Sequence, residues 1–219
     1  LAELLRIKTT FPGTVLRNDS FIYWLKEQIH TNTPWDELVR EMVTAEGRIW
    51  DNPAVGYHLR DNGMKLDHVA FMGKVFLGTN ITCAQCHDDP FSDWTQYQYY
   101  EFSAYLADLE TKGKSQKAQM PKKKELEAYI AATQKLDPKN EEQKRTINNT
   151  VGRYQRSLQD MSRASELAVH TVADRSMRLP NNYQYEDGFP RDKVKPWILF
   201  GKENGTAAAA LNPRQRLAV

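Results

Sequence analysis

Cys83-Ala84-Gln85-Cys86-His87 holds both cysteines of the chain, separated by two residues, with a histidine directly after the second. That is the attachment pattern of c-type haem. Thiols at this spacing sit on one side of a turn, where each can form a thioether to a haem vinyl group, and the adjacent imidazole becomes the proximal iron ligand. The reading assigns one covalent haem c, with Cys83 and Cys86 as its links and His87 as its proximal ligand. Other chemistries stay open to the same residues. A disulfide across so short a loop would constrain little of the unfolded chain. A redox dithiol of the thioredoxin kind expects a strand before it in a βαβ setting, whereas Val69 to Phe76 carry a helical pattern. A zinc site built on Cys83, Cys86 and His87 needs a fourth ligand, and no second Cys pair or His-x-x-x-His supplies one.

The opposite axial position of a haem decides its chemistry. Methionine there raises the potential and suits electron transfer, whereas an empty position admits small molecules. His58 is the first distal candidate, because it sits in a loop region between two helices from which a ligand could reach across a haem face, and His68 is the second. Met64 shares that region, while Met72 and Met161 lie on apolar stripes and read as packing. Tyr97 and Tyr100, on an aromatic stretch after the motif, are candidates to line the macrocycle.

These residues need a scaffold, and 219 residues suffice for one large domain or a domain with an appendage. The net charge of +2 is too near neutral to argue for nucleic acid or an anionic membrane. No apolar run approaches the ~18 residues that cross a bilayer. The chain begins at Leu1 with no visible signal peptide and reads as an internal or processed piece. Covalent haem attachment takes place outside the cytoplasm in bacteria, so the motif argues for a periplasmic or otherwise extracytoplasmic protein. No nucleophile elbow, P-loop or dinucleotide fingerprint is present. The function expected is an electron-transfer module rather than an enzyme. The alternative is a structural or assembly module in which the motif holds another metal or no redox cofactor.

Helix signals dominate. Phe21, Trp24, Leu25 and Ile29 share one face, and Thr33-Pro34 opens a helix with Trp35, Leu38, Val39 and Met42 buried, Thr33 capping and Pro34 in the first turn. Val69, Met72, Val75 and Phe76 form another stripe ahead of the motif. A lysine-rich run follows Thr111, including Lys114 and Lys117, and reads as a solvated loop or a docking patch for an acidic partner. Ile147, Val151, Tyr154, Leu158, Met161, Ser165 and Ala168 then alternate at spacings of four and three, a heptad seam. Leu126 and Ile130 would meet it from a preceding helix, giving an antiparallel, coiled-coil-like helical hairpin. A strand follows Ala168, and then a turn-rich, partly extended tail through Pro180, Tyr183, Tyr185 and Pro190.

The run Phe76-Leu77-Gly78, Cys83 to Asp88, Pro90-Phe91, Trp94-Thr95-Gln96 and Tyr99-Tyr100 resembles the planctomycete-type cytochrome-c-like family, uncharacterised and CxxCH-containing. Asn32-Thr33-Pro34-Trp35-Asp36 upstream and Leu179-Pro180, Tyr183 and Tyr185 downstream are similar too, and Pro213 to Ala218 resembles the opening of the second uncharacterised domain that usually follows. Asp89 stands where the family commonly has a second histidine. The resemblance covers most of the chain except about Thr111 to Glu166 and implies a cytochrome-c-like helical core over 1–110 and an extended segment over 169–219 leading into a following domain; with the inserted helical hairpin that the spacing gives over 111–168, the expected fold class is mainly α. The partner expected is a neighbouring domain or another protein, reached through the hairpin.

Overall fold

The computed structural model describes residues 1–11, 16–61, 63–112, 122–197 and 212–218. Pro12-Gly13, Lys114 and Lys117 lie outside them. The described chain is mainly α with a few short strands. Helices α1 (Asp19–His30), α2 (Trp35–Thr44), α3 (Gly56–Leu59), α4 (Lys65–Phe76) and α5 (Gln96–Ser103) surround one core. Their apolar stripes supply it: Phe21 and Leu25 from α1, Leu38 and Met42 from α2, Tyr57 from α3, Val69 and Met72 from α4, and Tyr99 and Phe102 from α5.

Gly56 lets α3 approach α1. A Cβ at that position would stand 2.5 Å from Phe21 Cβ, well inside contact distance. Pro34 occupies the N-cap of α2 rather than its first turn. Thr33 does not cap, because its hydroxyl donates to Gln28 Oε1 at 2.8 Å instead. Trp35 is 42% exposed, its ring meeting Phe76 edge-on at 5.9 Å. Its place at the start of the helix puts it at the rim of the core, not inside it.

A small antiparallel sheet ties distant parts of the chain together. Strand β3 (Leu167–Thr171) lies between β1 (Gly47–Arg48) and β2 (Leu109–Lys112), with Gly47 opposite Val169 and Leu109 opposite Thr171. Leu167, Ala168 and Val169 are all buried, as expected of a central strand covered on both faces. Strands β4 (Met177–Arg178) and β5 (Lys193–Val194) form a second, two-stranded sheet.

Between β2 and β3 the chain makes α6 (Lys123–Gln134) and α7 (Glu141–Ser165). Ile130 packs on Ile147 and Val151 in a separate apolar cluster flanked by Leu126 and Leu136. Lys135 terminates α6 in the left-handed region (φ 53°), and Asn140 accepts the Glu142 N–H at the start of α7. Within α7 the heptad seam is buried at Ile147 and Val151 and, among the described residues, not beyond them. Tyr154 is 53% and Met161 70% exposed, so the packing expected of Met161 is not found. With 12 residues against 25, α6 spans ~18 Å and α7 ~38 Å, and the shorter helix cannot cover the longer.

The last described helix, α8 (Pro213–Leu217), returns to the body. Arg214 is fully buried there, donating to Ala45 O at 3.1 Å and Thr171 Oγ1 at 2.6 Å and pairing with Glu46. One buried guanidinium thereby links the end of α2, strand β3 and the C-terminal segment.

Candidate functional site

Cys83–Gln85 form a single 3₁₀ turn between α4 and α5. Ile81 and Ala84 are buried and fix the turn to the core. The N–H groups of Cys86 and His87 close it on Cys83 O at 3.1 and 3.3 Å. With Ala84 facing inward, its neighbours face outward: Cys83 is half-buried and Cys86 and His87 are exposed. The sequence spacing thus delivers both thiols and the imidazole to the surface.

The imidazole is oriented. His87 Nδ1 lies 2.7 Å from the Asp88 carbonyl oxygen. A carbonyl only accepts, so the ring proton sits on Nδ1, and in the neutral ring Nε2 keeps its lone pair for a ligand. This is the arrangement by which proteins hold a metal-ligating histidine, the other nitrogen tied to backbone.

Asp88 is the hub of the site. Its carboxylate accepts the Gln96 N–H at 2.7 Å at the start of α5, and its own N–H donates to Tyr185 Oη at 2.8 Å. A carboxylate there also complements the positive end of the helix dipole. Thr95 and Gln98 complete the helix start as a capping box. Gln96 Nε2 donates to Gln85 O at 3.3 Å, a second tie between turn and helix. Asp89 closes a local turn, its carboxylate accepting the Phe91 N–H at 2.8 Å. Trp94 Nε1 donates to Thr79 Oγ1 at 3.2 Å, bracing the far side of the loop.

Tyr100 is buried, and Tyr97 is half-buried with its ring against Tyr183 at 6.5 Å. Tyr183 continues to Tyr185 at 5.5 Å, so a row of rings runs from α5 to the hydroxyl that holds Asp88. Burial raises the Tyr100 pKa, with the nearby Cys86 thiol adding to it. Gly188 makes the close packing possible, since a Cβ would stand 2.8 Å from Leu179 and 3.3 Å from Tyr97. Asp88, Gln96 and Tyr185 had no role in the reading of the sequence. The only signal for them was their place in the family-like runs.

His58 and His68 are brought together elsewhere. His58 Nδ1 meets His68 Nε2 at 3.2 Å, and His58 Nε2 donates to Val43 O at 3.1 Å. His68 Nδ1 lies 3.0 Å from both Asp61 Oδ2 and Arg60 Nη2. Both rings are buried, and all four ring nitrogens have protein partners. Burial lowers both pKa values, with His58 held well below 6.5. Burial works against the Asp61 carboxylate, yet the hydrogen bonds from His68 and Arg60 outweigh it and hold its pKa well below 3.8. No described hydrogen bond connects this cluster to the Cys83–His87 turn. Met64, at the N-cap of α4, is exposed.

Among the described residues no group of three or more His, Cys, Asp or Glu side chains converges to hold a metal ion. Likewise, no described helix is long and apolar enough to cross a membrane. Neither the curated proteins nor the solved structures offer a match to the chain. Residues 14–111, which include α1 to α5 and the Cys83–His87 turn but neither α6 nor α7, match the model of the PSCyt2 family, a protein of unknown function (DUF1549).

Proposed function

We propose that the chain is an extracytoplasmic, mono-haem electron-transfer module with a cytochrome-c-like helical core. The observation that carries this reading is His87, whose Nδ1 is committed to the Asp88 carbonyl and which is exposed beside the half-buried Cys83 and the exposed Cys86. The donor set fits haem c. Thioether links form at vinyl carbons away from the iron, so the thiols and the imidazole need not converge on one point as zinc ligands must. When bound, haem supplies one-electron chemistry at its iron. Cys83 and Cys86 would anchor it and His87 would ligate it. Asp88, through Gln96 and Tyr185, holds the turn that presents them. Tyr97 and Tyr100 are the aromatic neighbours on α5 and would contribute to its lining.

With every nitrogen of His58 and His68 engaged in the core, their role is to hold α3 and α4 together. The distal ligand is therefore sought elsewhere. The α6–α7 pair is read as an antiparallel hairpin inserted between two paired strands, its uncovered half available to a neighbouring domain or another protein.

The test is the alkaline pyridine spectrum of protein exported in a host carrying c-type maturation machinery. Covalent haem retained after denaturation, and lost in Cys83→Ala/Cys86→Ala, is the expected result. Absence of covalent haem in the exported, folded wild-type protein overturns the reading and leaves the assembly module.

A further inference from the structure

A cavity of about 440 Å³ lies between the start of α4, the chain after β3 and the β4–β5 pair. Lys65, Arg175, Arg178 and Lys193 line it, with Asp174 as the acidic member of the lining. Each base is placed by the fold. Lys65 is half-buried and donates to Ala107 O at 3.2 Å. Arg178 Nη1 donates to Arg191 O at 2.8 Å, and Arg175 pairs with Glu110 at 2.5 Å. Ammonium and guanidinium groups carry more donors than these bonds use, so each has capacity left to point at a ligand.

The arrangement costs energy in the absence of an anion. Arg178 and Lys193 are directly opposite one another across the two-stranded sheet, and like charges in that position repel. Asp174 and Arg191, which flank the bases in sequence, both hold positive φ (64° and 68°), uncommon for residues with a Cβ. The Glu110 carboxylate is already taken by Arg175, and Asp108 and Arg214 act on Lys65 from the protein side. With the whole chain at only +2, this concentration of bases is local, unlike the broad basic face that nucleic acid requires.

We propose that this cavity binds a tetrahedral oxyanion, the phosphate or sulfate ester of a small polar molecule. The planar forks of Arg175 and Arg178 suit two oxygens of such a group, and Lys65 and Lys193 act as point charges beside them. The volume lies within the range of small-ligand sites and accommodates a sugar-sized ester. The site is independent of the haem reading.

The experiment is an amide NMR titration of the full chain at constant ionic strength. Inorganic phosphate, inorganic sulfate, a hexose monophosphate and a hexose monosulfate are compared with chloride. Saturable shifts confined to Lys65, 173–178 and 191–194 are expected with the oxyanions, and the stronger ester identifies the source. Lys193→Ala and Arg178→Gln should each weaken binding about tenfold or more, the loss of one charge-assisted contact. Lys193 is exposed, so its truncation leaves the fold intact. Shifts that only follow chloride, or saturable binding that neither substitution weakens, overturn the proposal. Esters binding no better than the inorganic ions overturn its small-molecule part.

Discussion

Asp88 offers the sharpest test of how the Cys83–His87 turn is held. Its carboxylate accepts one backbone N–H, from Gln96 at 2.7 Å, at the positive end of α5. Asp88→Asn keeps an acceptor oxygen there and removes the charge, which costs about 0.3–1 kcal/mol of dipole interaction. Asp88→Ala removes the acceptor as well, adding a loss of about 1 kcal/mol typical of a helix-capping side chain. The Thr95–Gln98 capping box is untouched in both variants, so the helix start does not collapse. The alanine variant should therefore lose about 2 kcal/mol in total, or roughly 4–8 °C in Tm for a chain of this size. Urea unfolding followed by far-UV circular dichroism measures both variants against wild type. Because the peptide carbonyl that accepts from His87 remains, the loosened turn should also show faster thiol modification at Cys86, more so in the alanine variant. Equal losses in the two variants would refute the hydrogen-bond part of the reasoning. An alanine variant within about 0.5 kcal/mol of wild type, the range of an ordinary surface change, would refute all of it.

Further expectations follow from other contacts. Gly56→Ala forces a Cβ to within 2.5 Å of Phe21 and should destabilise by about 1–3 kcal/mol, whereas Gly152→Ala, with open space at its Cβ on α7, should not; denaturant midpoints compare them. His58 and His68 hold pKa values below 6.5 in the fold, so the unfolded chain binds protons first as pH falls. Stability should thus decline as pH falls through about 6.5, with Asp61 contributing its own loss only below 3.8. A urea midpoint flat from pH 7.5 to 5 argues against the lowered pKa values of this buried pair. Arg214→Ala strands the buried Asp108 carboxylate and the Ala45 carbonyl and should cost about 3 kcal/mol, with proteolysis of the C-terminal segment as the readout.

How much was legible depended on range. The helices around the core were readable because an apolar stripe is a local periodicity, and α1, α2 and α4 sit where the stripes predict them. Strand β3 was readable from the alternation after Ala168, but its pairing with β1 and β2 was not, since those partners lie far away in sequence. The heptad seam was visible as a pattern and misjudged in extent, because spacing says nothing about the length of the helix that covers it. Trp35 and Met161 read as buried for the same reason: hydrophobic character does not by itself say where the core ends.

By itself the sequence determined the chemical character of the candidate site. Two thiols and an imidazole within five residues must lie in one short stretch, whatever surrounds it. Only the tertiary structure decided which of those groups face solvent, and that Tyr185, 97 residues from Asp88, holds the turn in place. Tertiary structure also decided that His58 and His68 spend their nitrogens on each other, on Val43 and on the Arg60–Asp61 pair. The physical reason is common to both: the availability of a polar group depends on every partner the fold brings to it, and burial makes each partner obligatory.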